Sequence, residues 1–256
     1  MQTQFIELTD SQWQGMEYIL PVQRKRKHDL RDVVNALFWF TRCSVQWRNL
    51  PPNFPPWKSV YYYFRKWTMD GTWQTMNDWF VEIERACEHK EAEASVMCVD
   101  SQSVKAGPFV SEERGLDGNK KINGRKRHIM VDTLGLILGV IVSAANSNDG
   151  QVACKLIERN SYKFGRLKKI LVDAAYKGTF SEFVREKFNV VAEVSSKPPT
   201  QRGFVPIKQR WVVERSFGWL NFFRRLDKDH EKTTKSSESM LLIANIQIIL
   251  GRFNHS

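Results

Sequence analysis

Apolar residues recur with the period of amphipathic helices over about the first 90 positions, and beyond them gather into short unbroken runs. LTDSQW offers Thr9 or Asp10 as the cap of a first helix, and a second is expected from about Asp29 to Cys43, where Val33, Val34, Leu37, Phe38 and Thr41 follow helical spacing. The four prolines of NLPPNFPPW prohibit helix and force a turn. SVYYYFRKW after it predicts a third helix with Val60, Phe64 and Trp67 facing inward and Tyr62, Arg65 and Lys66 outward. Near residue 90 the pattern changes. CEHKEAEA reads as charged helix, and SVMCVD as the first buried strand of a new unit, ending in Asp100. KRHIMVDTLGLILGVIVSA predicts a hairpin about DTLG, and SNDGQVACKLIE a helix with Asp149 as a cap. KKILVDAAY is a second buried strand ending in Asp173, followed by the helix SEFVREKF and the strand NVVAEV. The last third holds an aromatic helical stretch, KQRWVVERSFGWLNFFRRL, and a strongly apolar helix from about Ser237 to Phe253.

A hairpin followed by strands alternating with helices predicts an α/β fold with a mixed sheet, preceded by a small all-helical unit. The expected division is residues 1–90 and 91–256. With 256 residues, 42% of them apolar and 12% aromatic, the chain can bury a sizeable core. Its net charge of +11 and pI of about 9.6 favour a polyanionic partner, nucleic acid before an anionic membrane surface. No stretch approaches the roughly 20 apolar residues of a membrane span, and the start lacks the character of a signal peptide, so a cytosolic protein is expected. Cys43, Cys87, Cys98 and Cys154 form no CxxC pair, which points to reduced thiols rather than a zinc site or a disulfide framework.

Two strands ending in aspartate place Asp100 and Asp173 at a sheet edge, where ligands usually bind in α/β folds. A carboxylate among apolar neighbours is costly unless paired, hydrogen-bonded or bound to a cation. Glu214, between Trp211, Val212, Val213 and Phe217, is the expected third acid, and three such groups would form an oxygen cage for Mg²⁺ or Mn²⁺. Two metal ions in such a site suit phosphoryl transfer. Asp132 and Asp149 read instead as a turn former and a helix cap.

The segment from Arg114 to Arg127 carries Arg114, Lys120, Lys121, Arg125, Lys126 and Arg127 against one acid, Asp117, and with Lys105 would flank the site and hold phosphates. Arg215, Arg224 and Arg225 lie on the helical stretch of Glu214 and would reach DNA entering the site. The helix with Tyr62, Arg65 and Lys66 is compatible with a helix-turn-helix-like DNA reader. Trp219 fits either core packing or stacking on a displaced base, and His128 a locally hydrogen-bonded strand position. The chain has no phosphate-binding glycine loop, so no nucleotide cofactor is expected.

At VDSQSVK, RGLDGNKKINGRKRHIMVDTLGLIL, LVDAAYKG and WVVERSFGWLNFFRRL the chain resembles bacterial DDE transposases of the insertion sequence five family. LTDSQW, HDLRDVVNALFW, QWRNLPPNFPPW and SVYYYFRKWTMDGTW are similar to that family's helical DNA-binding region. The resemblance implies a ribonuclease-H-like core with Asp100, Asp173 and Glu214 as catalytic, metal-holding residues and two Mg²⁺ or Mn²⁺ ions per active site. It implies hydrolysis at the inverted-repeat ends of an insertion sequence, freeing 3′-hydroxyls that are then joined to target DNA. The implied partners are double-stranded DNA and at least a second protomer, in the bacterial cytoplasm at the nucleoid, with no membrane. Arg210 and Glu214 match a wider pattern around the third acid and place Arg210 with the DNA-binding residues, whereas Ile207 and Asn221 stand where tyrosine and lysine would be. CSVQWR stands where the family has a TGCQWR-like turn, without its glycine.

Overall fold

The computed structural model describes residues 5–22, 25–194 and 211–253. Helix α1 (Asp10–Glu17) begins in a reciprocal capping box: the Thr9 hydroxyl accepts the Gln12 N–H, and the Gln12 side chain accepts the Thr9 N–H at 3.0 Å. Asp29 caps α2 (Leu30–Cys43) through the Arg31 N–H, and Val33, Val34, Leu37, Phe38 and Thr41 are buried, as their spacing predicts. This helix stops at Ser44, which adopts a left-handed conformation with φ of 59°. After the proline-rich turn, α3 (Trp57–Met69) buries Val60, Phe64 and Trp67, and α4 (Thr72–Cys87) buries Trp73, Met76 and Phe80. The expected charged helix over CEHKEAEA does not form beyond Cys87. The chain reverses at His89, and the Arg85 guanidinium donates to the carbonyls of Glu91 and Ala92, drawing the segment back over the helix end.

The sheet contains β1 (Val96–Lys105), β2 (Gly115–Asp117), β3 (Ile122–Asp132) and β4 (Ile137–Ala144). After α5 (Asp149–Arg159) come β5 (Lys169–Val172), α6 (Thr179–Phe188) and β6 (Val191–Val194). Strand β3 pairs antiparallel with β1, β2 and β4, whereas β1, β5 and β6 are parallel neighbours. The strands therefore run in the order β2-β3-β1-β5-β6, with β4 also paired to β3. Strand β1 runs past Asp100 instead of ending there, because Ser101 to Lys105 continue to pair with His128 to Gly124 of β3.

Two further helices, α7 (Trp211–Leu220) and α8 (Thr234–Arg252), complete the fold. Helix α8 lies along the free edge of β4, where Glu238 accepts the Val142 N–H at 3.1 Å and Asn245 the Ile137 N–H at 3.2 Å. These side chains satisfy backbone donors that an open edge would expose. Packing of α8 against α2, α3 and α4 joins the N-terminal helices to the sheet in one buried apolar cluster. Among the described residues no helix is long and apolar enough to cross a membrane, and all four cysteines are free thiols.

Candidate active site

Pairing between β1 and β5 ends at Cys98 opposite Leu171. Asp100 lies two residues beyond Cys98 within β1, and Asp173 lies two residues beyond Leu171, just past the end of β5, where it caps the 174–176 turn, so both aspartates follow the paired stretch of these two parallel strands. Asp100 accepts the Ser101 N–H at 2.7 Å and Asp173 the Ala175 N–H at 2.9 Å, so both carboxylates are oriented by local backbone.

Alternation along β1 and β3 determines which face each side chain serves. Arg127 reaches the Leu226 carbonyl, on the side of the turn that follows α7, whereas Lys126 and His128 face Asp149 at the start of α5. Asp100 is opposite Ile129 and therefore shares the Arg127 face. Helix α7 packs against β1 and β3, held by Ser216 Oγ donating to the Gly135 carbonyl at 2.7 Å and Arg215 donating to that of Leu134 at 2.9 Å. Gly135 is required twice over: its φ is 83°, and a Cβ there would come within 2.9 Å of Ser216 Oγ. Glu214, half-buried in the first turn of α7, is thereby carried on a helix lying over the strand of Asp100. Among the described residues no three carboxylate, imidazole or thiol side chains are gathered closely enough to hold a metal ion as they stand.

The basic residues divide sharply. Lys105, Arg114, Lys120, Lys121 and Arg224 are exposed, as are Tyr62, Arg65 and Lys66 on the outer face of α3. Arg210 lies outside the described residues. Arg125 and Arg127, expected at a DNA surface, are instead enclosed. The Arg125 guanidinium is fully buried and donates to Asp229 at 3.3 Å, to Ser237 at 3.1 Å and to the carbonyls of Glu112, Glu231 and Lys232. Burial pulls the Arg127 guanidinium down to about 10, with Asp229 and Asp227 opposing the shift. Lys126 pairs with Asp149 at 3.1 Å, and Arg225 with Glu231 at 2.7 Å. The physical reason is that β3 lies between two strands with both faces covered, so a run of charges along it cannot remain in water and must find internal partners. Arg215 is partly buried and stacks on Trp211 and Trp219, its guanidinium carbon 4.6 Å from the Trp219 ring centre.

Two residues at the site were not anticipated. Asn148, not Asp149, caps α5 by accepting the Gln151 N–H at 3.0 Å. Asp149 is thus turned toward β1, where it accepts from Ser101 Oγ at 2.9 Å. Tyr176, in the helical turn that follows Asp173, is buried; desolvation first, then Asp100, Asp149 and Asp173, raise its pKa, so the phenol stays protonated. Neither residue carries a spacing signal, because each reaches the site only through packing of α5 and the 174–176 turn. His128 bonds Ser143 through Nε2 at 3.0 Å, and burial pushes it down to about 4, leaving a neutral imidazole.

Comparison with known proteins identifies two family models over most of the chain. Residues 8–77 match the family model "Putative transposase of IS4/5 family", and residues 91–248 match "Transposase DDE domain". The "Putative transposase for insertion sequence element IS402" of Burkholderia cepacia is 35% identical over 109 residues, 40% of this chain and 52% of that protein. The match therefore spans about half the length of that curated relative. A solved structure of the piggyBac transposase synaptic complex with hairpin DNA aligns with a TM-score of 0.39 at 11% identity, covering 93% of this chain and 71% of that one. The matched DDE domain runs from just before β1 nearly to the end of α8 and takes in both aspartates, the glutamate and more than half of the sequence, and the chain accordingly belongs to the DDE transposase family.

Proposed function

We propose that this chain is the transposase of an insertion sequence: it binds the inverted-repeat ends, hydrolyses a phosphodiester to free 3′-hydroxyls, and joins these to target DNA. The observation that supports the reading is that Asp100 and Asp173 both follow the paired stretch of the neighbouring parallel strands β1 and β5, while α7, which carries Glu214, packs against β1 and β3. Asp100, Asp173 and Glu214 offer oxygen donors only, the set that a hard cation such as Mg²⁺ or Mn²⁺ prefers. We assign these three residues to hold two such ions. When bound, the ions polarise the scissile phosphate and lower the pKa of the attacking water.

The protein supplies position and charge. Asp100 and Asp173 are fixed by their backbone hydrogen bonds, and α7 is anchored to the β3–β4 turn, so the carboxylates approach the phosphate from rigid elements. Lys105, Arg114, Lys120 and Lys121 stand in solvent toward the end of β1 and β3 away from Asp100 and would hold phosphates further along the duplex, and Arg215 and Arg224 would hold those beside α7, with Arg210 assigned to the same role from its place in the sequence. Tyr62, Arg65 and Lys66 give residues 1–90 a DNA-facing surface, with residues 91–256 as the catalytic part. Two element ends must be held together, which calls for at least two protomers on double-stranded DNA. A bacterial, nucleoid-associated protein is the setting this reading requires.

The test is cleavage of an inverted-repeat duplex with Mg²⁺ by Asp100→Ala, Asp173→Ala and Glu214→Ala, alongside duplex binding by mobility shift. Each variant should bind DNA and lose at least about 100-fold in cleavage. Substantial cleavage by any one removes that residue from the mechanism. Wild-type protein that binds without cutting would be a DNA-binding protein lacking catalysis, and one that cuts without strand transfer a nuclease.

A further inference from the structure

Helix α7 carries Glu214 and buries Val213, Ser216, Phe217 and Leu220. At about 100° per residue, Glu214 and Ser216 stand about 160° apart, at opposite margins of that buried face. A bond at Ser216 therefore opposes rotation of the helix about its axis, the motion that would swing Glu214 aside. Side chains end roughly 5–6 Å from the axis, so a turn of about 20° displaces the carboxylate by about 2 Å. Catalytic geometry tolerates only about 0.5 Å.

The partner of Ser216 is a turn held from within. The Asp132 carboxylate, fully buried, accepts the Leu134 N–H at 3.0 Å and the Leu136 N–H at 2.9 Å. Its backbone accepts from Gly135 and donates to Leu136, each at 3.1 Å. Arg85, in the last turn of α4, pairs with the same carboxylate and braces the turn against the N-terminal helices. The turn offers its Leu134 and Gly135 carbonyls to Arg215 at 2.9 Å and Ser216 at 2.7 Å. The other acceptor of the Ser216 hydroxyl, the Val212 carbonyl at 3.0 Å, belongs to α7 itself. Gly135 leaves no slack, because a Cβ there would come within 2.9 Å of Ser216 Oγ, 3.0 Å of the Trp219 ring and 3.2 Å of the Arg215 guanidinium. Arg252 lies over that Trp219 ring at 4.9 Å while pairing with Glu84 of α4 at 2.9 Å. The end of α4 is thus tied to α7 along two routes, through Asp132 and through Arg252.

We propose that Ser216 is a positioning residue for Glu214, seated on the 132–136 turn as a stop that sets the rotation of α7; this rests on the reading of Glu214 as a metal-holding residue. Asp132 shapes the stop and Arg85 braces it. A contact that served packing alone would contribute to stability whatever stood at position 214. A residue that acts through Glu214 loses its effect on the metal once that carboxylate is gone.

The experiment titrates Mn²⁺ into the full-length protein by calorimetry, for wild type, Ser216→Ala, Gly135→Ala, Glu214→Ala and the double variant Ser216→Ala with Glu214→Ala. Alanine suits a mid-helix position, so Ser216→Ala should fold, as metal-free melting will show, and bind Mn²⁺ about 10-fold more weakly. Gly135→Ala, pressing on α7 from the turn, should also weaken binding. In the Glu214→Ala background, Ser216→Ala should change affinity by no more than about 2-fold. Wild-type affinity in Ser216→Ala or in Gly135→Ala, or an equal loss in both backgrounds, overturns the proposal. Where Glu214→Ala binds too weakly to titrate, the half-saturating Mn²⁺ for duplex cleavage by Ser216→Ala decides. It should rise about 10-fold at unchanged duplex affinity, and no rise overturns the proposal. If Glu214→Ala weakens Mn²⁺ binding while Ser216→Ala does not, the inference fails alone. If wild type binds no Mn²⁺, or Glu214→Ala binds it as wild type does, the assignment of Glu214 to the metal fails first.

Discussion

Replacing Arg125 with alanine tests whether the charges of β3 serve the fold or the DNA. The guanidinium is the donor to five internal acceptors from three separate segments, and its removal leaves the Glu112, Glu231 and Lys232 carbonyls without it. Asp229 retains the Ser237 hydroxyl and the Glu231 N–H, so its carboxylate stays partly solvated by the protein but loses its buried counter-charge. Breaking a buried ion pair from one side costs about 3–5 kcal/mol. For a protein of this size, each 1 kcal/mol shifts melting by about 2–4 °C, so Arg125→Ala should melt about 6–20 °C lower. The assay is calorimetric or dichroic melting, paired with duplex affinity as a function of salt. Lys105→Ala and Lys120→Ala are the counterparts: both side chains are exposed, melting should be unchanged, and each lost phosphate contact should reduce the slope of log affinity against log salt by about 1. An Arg125→Ala protein that melts like wild type but binds DNA with a reduced salt slope would refute the assignment.

Ser44 holds a left-handed conformation at the end of α2, which costs a non-glycine residue about 1–2 kcal/mol. Glycine removes that strain but adds about 0.5–1 kcal/mol of chain entropy, so Ser44→Gly should stabilise by about 0.5–1 kcal/mol, read from urea midpoints; destabilisation would mean the hydroxyl matters more than the backbone. His128 predicts a pH dependence. Its folded pKa is depressed from 6.5 to about 4, so the unfolded state binds the extra proton in that window, and the stability this provides is complete above pH 6.5 and lost as pH falls toward 4. Between pH 7 and pH 5 wild type should lose about 2 kcal/mol that His128→Gln does not lose. Parallel losses in the two proteins would show that the imidazole is not buried neutral.

The helices of the N-terminal part were legible because their apolar spacing, caps and proline breaks are local signals, and Thr9, Asp29 and the buried face of α2 act in the structure as those signals predict. The strands of Asp100 and Asp173 were equally visible as unbroken apolar runs. The reach of β1 beyond Asp100 was not, because SQSVK has no apolar run and is held in strand only by its partner β3. The basic run from Arg114 to Arg127 illustrates the limit most clearly. A sequence gives the sign and density of charge, but whether Arg114 meets solvent and Arg125 meets Asp229 depends on what covers each face.

The sequence by itself therefore determined most helical and strand segments, the mixed α/β class and the acidic residues worth suspecting, since these follow from near-neighbour spacing and side-chain chemistry; it misjudged CEHKEAEA and the reach of β1. Only the tertiary structure decided that the stretches leading to Asp100 and Asp173 pair as parallel neighbours, that Arg125 and Arg127 are interior, that Asn148 releases Asp149 from the cap, and that Tyr176 is buried. Those outcomes depend on strand register and on the covering of both sheet faces, which arise between residues far apart in the chain and leave no periodic trace along it.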